Sequence, residues 1–122
     1  MPISGIITPY EKERGLQAIA YLNTHYRNQV SGEQLAEHVN LDIKVLQEII
    51  KDLTTLTIHN YLLKIRLDKA TESLEDFRLS IDIIAQKHGF SSSQHFSSLF
   101  KKRNQITPRQ YRQQLSSNGN HL

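Results

Sequence analysis

A chain of 122 residues with 38% hydrophobic content is long enough for one domain, or two very small ones, around a modest core. It has no cysteine, which excludes a disulfide framework and a thiolate metal site, and no apolar run near the ~20 residues that a membrane span requires. Net charge is +3 but uneven: residues 1–78 carry 9 Lys/Arg against 11 Asp/Glu, net −2, whereas residues 79–122 carry 6 against Asp82 alone, net +5, so an anionic partner is expected at the C-terminal third.

The opening stretch MPISGIITPYEKER has no basic segment ahead of a long apolar one. It does not read as a signal peptide, and the expected location is the cytoplasm, at the nucleoid. Residues 1–9 read as linker. From there on the chain is expected to be all helix, because helical spacing and helix-start signals recur and no strand alternation stands out. Thr8-Pro9 supplies an N-cap and a first-turn proline for a helix to about Tyr26, with Leu16, Ile19, Ala20 and Leu22/Asn23 on its apolar face. Ser31 with Gln34 forms a capping box for a short helix to about His38. Asp42 caps a third helix with Val45, Leu46, Ile49, Ile50 and Leu53 inside. Thr57 caps a longer fourth, with Tyr61, Leu62, Ile65, Leu67, Ala70 and Leu74. Ser80 opens a fifth that ends near His88-Gly89, and a sixth runs from about Ser92 to Arg103. Thr107-Pro108-Arg109-Gln110 combines cap, N1 proline and N3 glutamine, and starts the seventh. The tail after Leu115 is expected to be disordered.

The pattern repeats. Ala36, Asn40 and Leu41 correspond to Ala85, Gly89 and Phe90 at a spacing of 49, and Leu46, Ile50, Lys51, Thr57 and Tyr61 correspond to Phe96, Phe100, Lys101, Thr107 and Tyr111 at a spacing of 50, with one extra residue in the second turn. A helix-turn-helix requires these residue types. A small residue sits where the helices cross (Ala36, Ala85), a residue tolerant of a left-handed backbone sits in the turn (Asn40, Gly89), and apolar residues pin the second helix from behind. Two copies in register are a far stronger signal than one.

Residues 79–112, LSIDIIAQKHGFSSSQHFSSLFKKRNQITPRQYR, resemble the C-terminal signature of the AraC/XylS family of bacterial transcription regulators in their LSI, the alanine, GF, the F–S–x–x–F–K run and the closing TP–x–x–YR. The resemblance implies an all-α, homeodomain-like fold of seven helices, with two helix-turn-helix subdomains (10–56 and 79–115) joined by a connecting helix (57–78), linker before it (1–9) and tail behind it (116–122). It implies double-stranded DNA as partner, two recognition helices entering adjacent major-groove segments about 34 Å apart, and a leaning towards activation. In the sixth helix Phe96, Leu99 and Phe100 form the rear, while Ser93, Gln94, Ser97 and Ser98 face forward with His95 beside them. Gln94 suits adenine, and serine hydroxyls meet donors or acceptors. His95 is open to a base edge, a phosphate or a packing role. By the repeat, Lys44, Gln47 and Glu48 face forward in the first unit. Lys101, Lys102, Arg109 and Arg112 are the phosphate candidates.

The sequence also departs from the family. Arginine is frequent there where this chain has Glu48 and Ser98, and neither can make arginine's contact to guanine. The first unit is therefore expected either to read bases or only to brace the second. Thr55 and Gln105 stand where glycine is usual and require an altered or strained helix end. Family members often carry an effector or dimerisation domain, so the chain is expected to be either a stand-alone regulator or a domain cut from a longer one, with RNA polymerase a further candidate partner. Two other classes compete. Catalysis finds no support in six scattered histidines without a ligand pair or triad, and no cofactor or metal is expected. A helical protein-interaction module with weak or no DNA readout is the alternative.

Overall fold

The computed structural model describes residues 7–119, and among these there are seven helices and no strand. They are α1 (Pro9–His25), α2 (Gly32–His38), α3 (Ile43–Thr54), α4 (Ile58–Ser73), α5 (Ile81–Lys87), α6 (Ser93–Asn104) and α7 (Pro108–Gly119). Six of the seven starts follow the residue expected to open the helix, and the sixth helix, expected from about Ser92, is capped by that serine. Thr8 and Glu11, Ser31 and Gln34, and Thr107 and Gln110 each make a reciprocal capping box. Asp42 accepts from Lys44 N at 2.8 Å, Thr57 from Asn60 N at 3.1 Å, Ser80 from Ile83 N at 3.1 Å and Ser92 from His95 N at 3.0 Å. Each cap satisfies a backbone donor that the helix itself cannot, and contributes about 1 kcal/mol.

The chain divides into two compact units, residues 1–65 and 66–122, with the boundary inside α4. The first is built on a largely aliphatic core: Ala18, Leu22, Leu35, Ala36, Val39, Leu46 and Ile50 from α1, α2, α3 and the turn, with Tyr26 beside them, completed by Ile58, Leu62 and Ile65 from the first half of α4. The second gathers Leu67, Ala70 and Leu74 from the rest of α4 with Ile84, Ala85, Phe90, Phe96 and Phe100. Its aromatic rings form a chain. Phe90 meets Phe96 at 5.0 Å between centroids, Phe96 meets Phe100 at 5.8 Å, and Phe100 meets Tyr111 at 5.5 Å. His88 is buried beside this core, and its Nε2 lies 2.7 Å from the Ser73 hydroxyl.

Two expectations need correction. The inner face of α1 consists of Gly15, Ala18 and Leu22, while Leu16 is 51% exposed and Ala20 is also outside. Backbone proximity decides this: a Cβ on Gly15 would lie 2.5 Å from Ile49 Cγ2 and 2.7 Å from Leu53 Cδ1, so α1 lies against α3 at the one residue that has no side chain. The tail was expected to lose structure from Ser116, but α7 continues to Gly119. No proline or glycine interrupts residues 109–118, so nothing stops the helix earlier. The remainder of that tail, 120–122, and residues 1–6 of the linker-like opening lie outside the described residues.

Candidate nucleic-acid interface

Each unit contains a helix, a tight turn and a second helix that is anchored from behind. In the first, Asn40 adopts φ 57° and the Leu41 N–H donates to Ala36 O at 3.0 Å; in the second, Gly89 adopts φ 87° and the Phe90 N–H donates to Ala85 O at 3.0 Å. The left-handed residue reverses the chain, and the bond back to the alanine fixes the angle at which the second helix leaves. Both second helices end alike as well. Thr55 (φ 65°) and Gln105 (φ 71°) are left-handed, and their N–H groups donate to Lys51 O at 2.8 Å and Lys101 O at 2.7 Å. The altered helix ends expected at these non-glycine positions are present, each at a cost of about 1 kcal/mol.

The second helices are two-sided. In α6, Phe96 and Phe100 are fully buried, Leu99 is partly so, Gln94, His95 and Ser98 are exposed, and Ser93 and Ser97 are half-buried at the margin. In α3, Leu46, Ile49 and Ile50 are fully buried, Lys44 and Gln47 are exposed, and Glu48 is half-buried. The front of α3 borders a groove of about 610 Å³ lined by Lys44, Gln47, Glu48, Lys51, Thr57, Ile58 and His59. Lys51, Thr57 and His59 were not placed at the interface from the sequence. The repeat carries the signal for them, since they stand 50 residues before Lys101, Thr107 and Arg109.

Of the four phosphate candidates, Lys101, Lys102 and Arg109 are exposed. Arg112 is committed elsewhere. Its Nε donates to Leu74 O at 3.0 Å, Nη1 to Leu79 O at 2.7 Å and Nη2 to Asp76 O at 3.1 Å, and its guanidinium lies over the Phe77 ring at 5.5 Å. The planar fork thus ties α7 to the carbonyls at the end of α4 and in the loop after it, a place where the helix leaves acceptors unsatisfied. Arg103 is also held within the unit, paired with Asp68 at 2.8 Å. Asp76 is paired with Arg78 at 2.9 Å, and the hydrogen bond from Arg78 lowers its carboxyl to about 2. Among the described residues no three acidic or histidine side chains gather to hold a metal, and no helix is long and apolar enough to cross a membrane.

Residues 35–114 match the family described as helix-turn-helix domain. The HTH-type transcriptional activator RhaS of Escherichia coli (strain SE11) is 37% identical over 95 residues, covering 78% of this chain and 34% of the relative. The chain therefore spans about a third of the length of the curated relatives it matches. Among solved structures, the C-terminal domain of AraT, a response regulator from Geobacillus stearothermophilus, superposes with TM-score 0.77 at 30% identity over 88% of this chain and 86% of that one. An AraC-type DNA-binding domain protein from Chromobacterium violaceum gives 0.79 at 28% identity over 84% and 92%. The DNA-binding domain of AdpA, solved with a target DNA, gives 0.81 at 22% identity over 86% and 95%, a likeness of fold alone.

Proposed function

The chain belongs to the AraC/XylS family of helix-turn-helix proteins, and from that premise we propose that it is a sequence-specific DNA-binding regulator of transcription, acting as an activator in the cytoplasm. One observation carries the reading: α6 buries Phe96 and Phe100 completely while its opposite side presents short hydrogen-bonding groups. Such a helix is fixed in place yet has groups small enough for base edges to approach.

Affinity in this reading comes from Lys101, Lys102 and Arg109 on phosphates, and discrimination from Ser93, Gln94, Ser97 and Ser98. Gln94, exposed near the start of α6, is positioned to pair with adenine N6 and N7, since the first turn of a recognition helix lies deepest in the groove. In the first unit Lys44 and Gln47 face the duplex, and Glu48 serves cytosine through its amino group or holds phosphates off. His59 and Lys51 line that groove, and by the repeat Arg109 and Lys101 are their counterparts in the second unit. The relatives' greater length leaves room for an effector or dimerisation domain, and activation brings in RNA polymerase as a second partner. No catalytic role is proposed.

Titration of labelled duplex across salt concentrations tests this. Three phosphate contacts from the second unit alone predict that log K falls with log salt with a slope of about −3. Absence of binding even at low salt would favour the interaction-module alternative. Selection from random duplexes resolves the first unit: two motif halves about 10 base pairs apart mean that both units read bases, and one half means that α3 only braces.

A further inference from the structure

The second turn contains one residue more than the first, and the structure identifies it. Leu41 and Phe90 make the same bond back to their alanines, and Asp42 and Ser92 are the two caps. Leu41 adjoins Asp42 directly, whereas Ser91 stands between Phe90 and Ser92. Ser91 Oγ lies 3.2 Å from His95 Nδ1. The Phe90 ring meets the same imidazole edge to face, 5.8 Å between centroids at 78°, and the His95 main-chain N–H is held by the Ser92 cap at 3.0 Å. An exposed side chain is thus fixed at one ring nitrogen, against one ring and at its backbone. The first unit has nothing comparable, because the residue in place of His95 is Val45.

We infer that Ser91 is a positioning residue that makes His95 a single-donor reader of the duplex. In this inference the hydroxyl is the donor to Nδ1, which leaves the neutral ring's proton on Nε2, directed away from the anchor. The chemistry that such a group accepts is a lone pair: purine N7 or a phosphate oxygen, and not the cytosine amino group. This rests on the DNA-binding reading above and adds a contact that only the second unit can make.

The test uses the duplex recovered by selection. Purines are replaced one at a time by their 7-deaza counterparts, and in a second series phosphates are replaced one at a time by neutral methylphosphonates. Wild type, Ser91→Ala, Ser91→Thr and His95→Ala are titrated against each. Besides the replacements at the contacts assigned to Gln94, Lys101, Lys102 and Arg109, one further replacement is expected to weaken wild-type binding about fivefold to tenfold, the size of one hydrogen bond. That penalty disappears in His95→Ala, shrinks to about twofold in Ser91→Ala and returns in Ser91→Thr. The series that contains it distinguishes base from backbone. A penalty indifferent to His95→Ala at every position, or fully kept in Ser91→Ala, overturns the inference while salt-dependent binding leaves the regulator reading intact. Failure of wild type to bind any duplex removes both.

Discussion

Asn40 and Gly89 make the same left-handed turn, Ala36 and Ala85 occupy the same crossing, and Thr54 and Asn104 each donate back to the carbonyl four residues earlier (Ile50 O at 2.7 Å, Phe100 O at 3.1 Å). The helices between these points carry opposite surfaces. One presents Lys44, Gln47 and Glu48, with the acids Asp42 and Asp52 close by in sequence; the other presents Gln94, Ser97 and Ser98, with Lys101 and Lys102 behind. Backbone geometry is set by a few small or turn-forming residues and by buried bulk, and it leaves the front of the helix nearly unconstrained. Two copies of one plan can therefore have different chemistry.

The cores differ too, and that difference should appear first in stability. Phe96→Ala empties a site at the centre of a chain of rings and is expected to cost about 3–5 kcal/mol, against about 2–5 for Leu46→Ala in the aliphatic unit. Chemical denaturation followed separately at Tyr111 and Tyr21 would show whether each loss stays in its own unit. Arg112→Ala is next, at about 2–3 kcal/mol, because three carbonyls lose a charged donor. Lysine should not restore it, having no planar fork. The same substitution should leave the salt slope unchanged, whereas Arg109→Ala should reduce it by about 1 and leave the melting temperature unaltered. A reversed outcome would return Arg112 to the phosphate set. Gln94→Ala should remove about 1–3 kcal/mol of discrimination at one base pair, and Gln47→Ala will do likewise only if the first unit reads sequence. The smallest effect is at the helix ends. Thr55→Gly relieves a β-branched residue of a positive φ and should stabilise by about 1 kcal/mol, with less gained at Gln105→Gly, whose side chain is unbranched. Paired thermal melts would rank them.

The sequence discloses most of the architecture because its signals are local. Caps such as Ser31/Gln34 and Thr107/Gln110 act within four residues, and the repeat identifies both turns. What escaped it depends on residues distant in sequence. Leu16 looks like core on a helical wheel, and only the closeness of α3 at Gly15 explains why the helix is rotated to expose it. Arg112 looks like one more surface cation, and its acceptors lie 33 to 38 positions earlier. Arg103 likewise meets Asp68 from 35 positions away. The two-sidedness of α6 was legible from the spacing of its aromatic residues, but the Ser93, Ser97 and Lys101 row that i, i+4 spacing places forward has its two serines half-buried at the margin, because Phe96 and Phe100 set the rotation of the helix and leave Gln94 and Ser98 outermost. The groove residues Lys51, Thr57 and His59 were reachable only through the 50-residue repeat, because it is α4 beside α3 that gathers them.

Gly15 and Leu16 are neighbours with opposite tolerance. In a saturation library one position should accept hardly any of the nineteen alternatives and the next should accept almost all. The bare α-carbon means that the seam behind α3 is filled from one side only, by the Ile49 and Leu53 side chains that close on Gly15. A library meant to change the front of α3 can therefore vary the exposed Lys44 and Gln47, provided that position 15 is kept out of the randomised set.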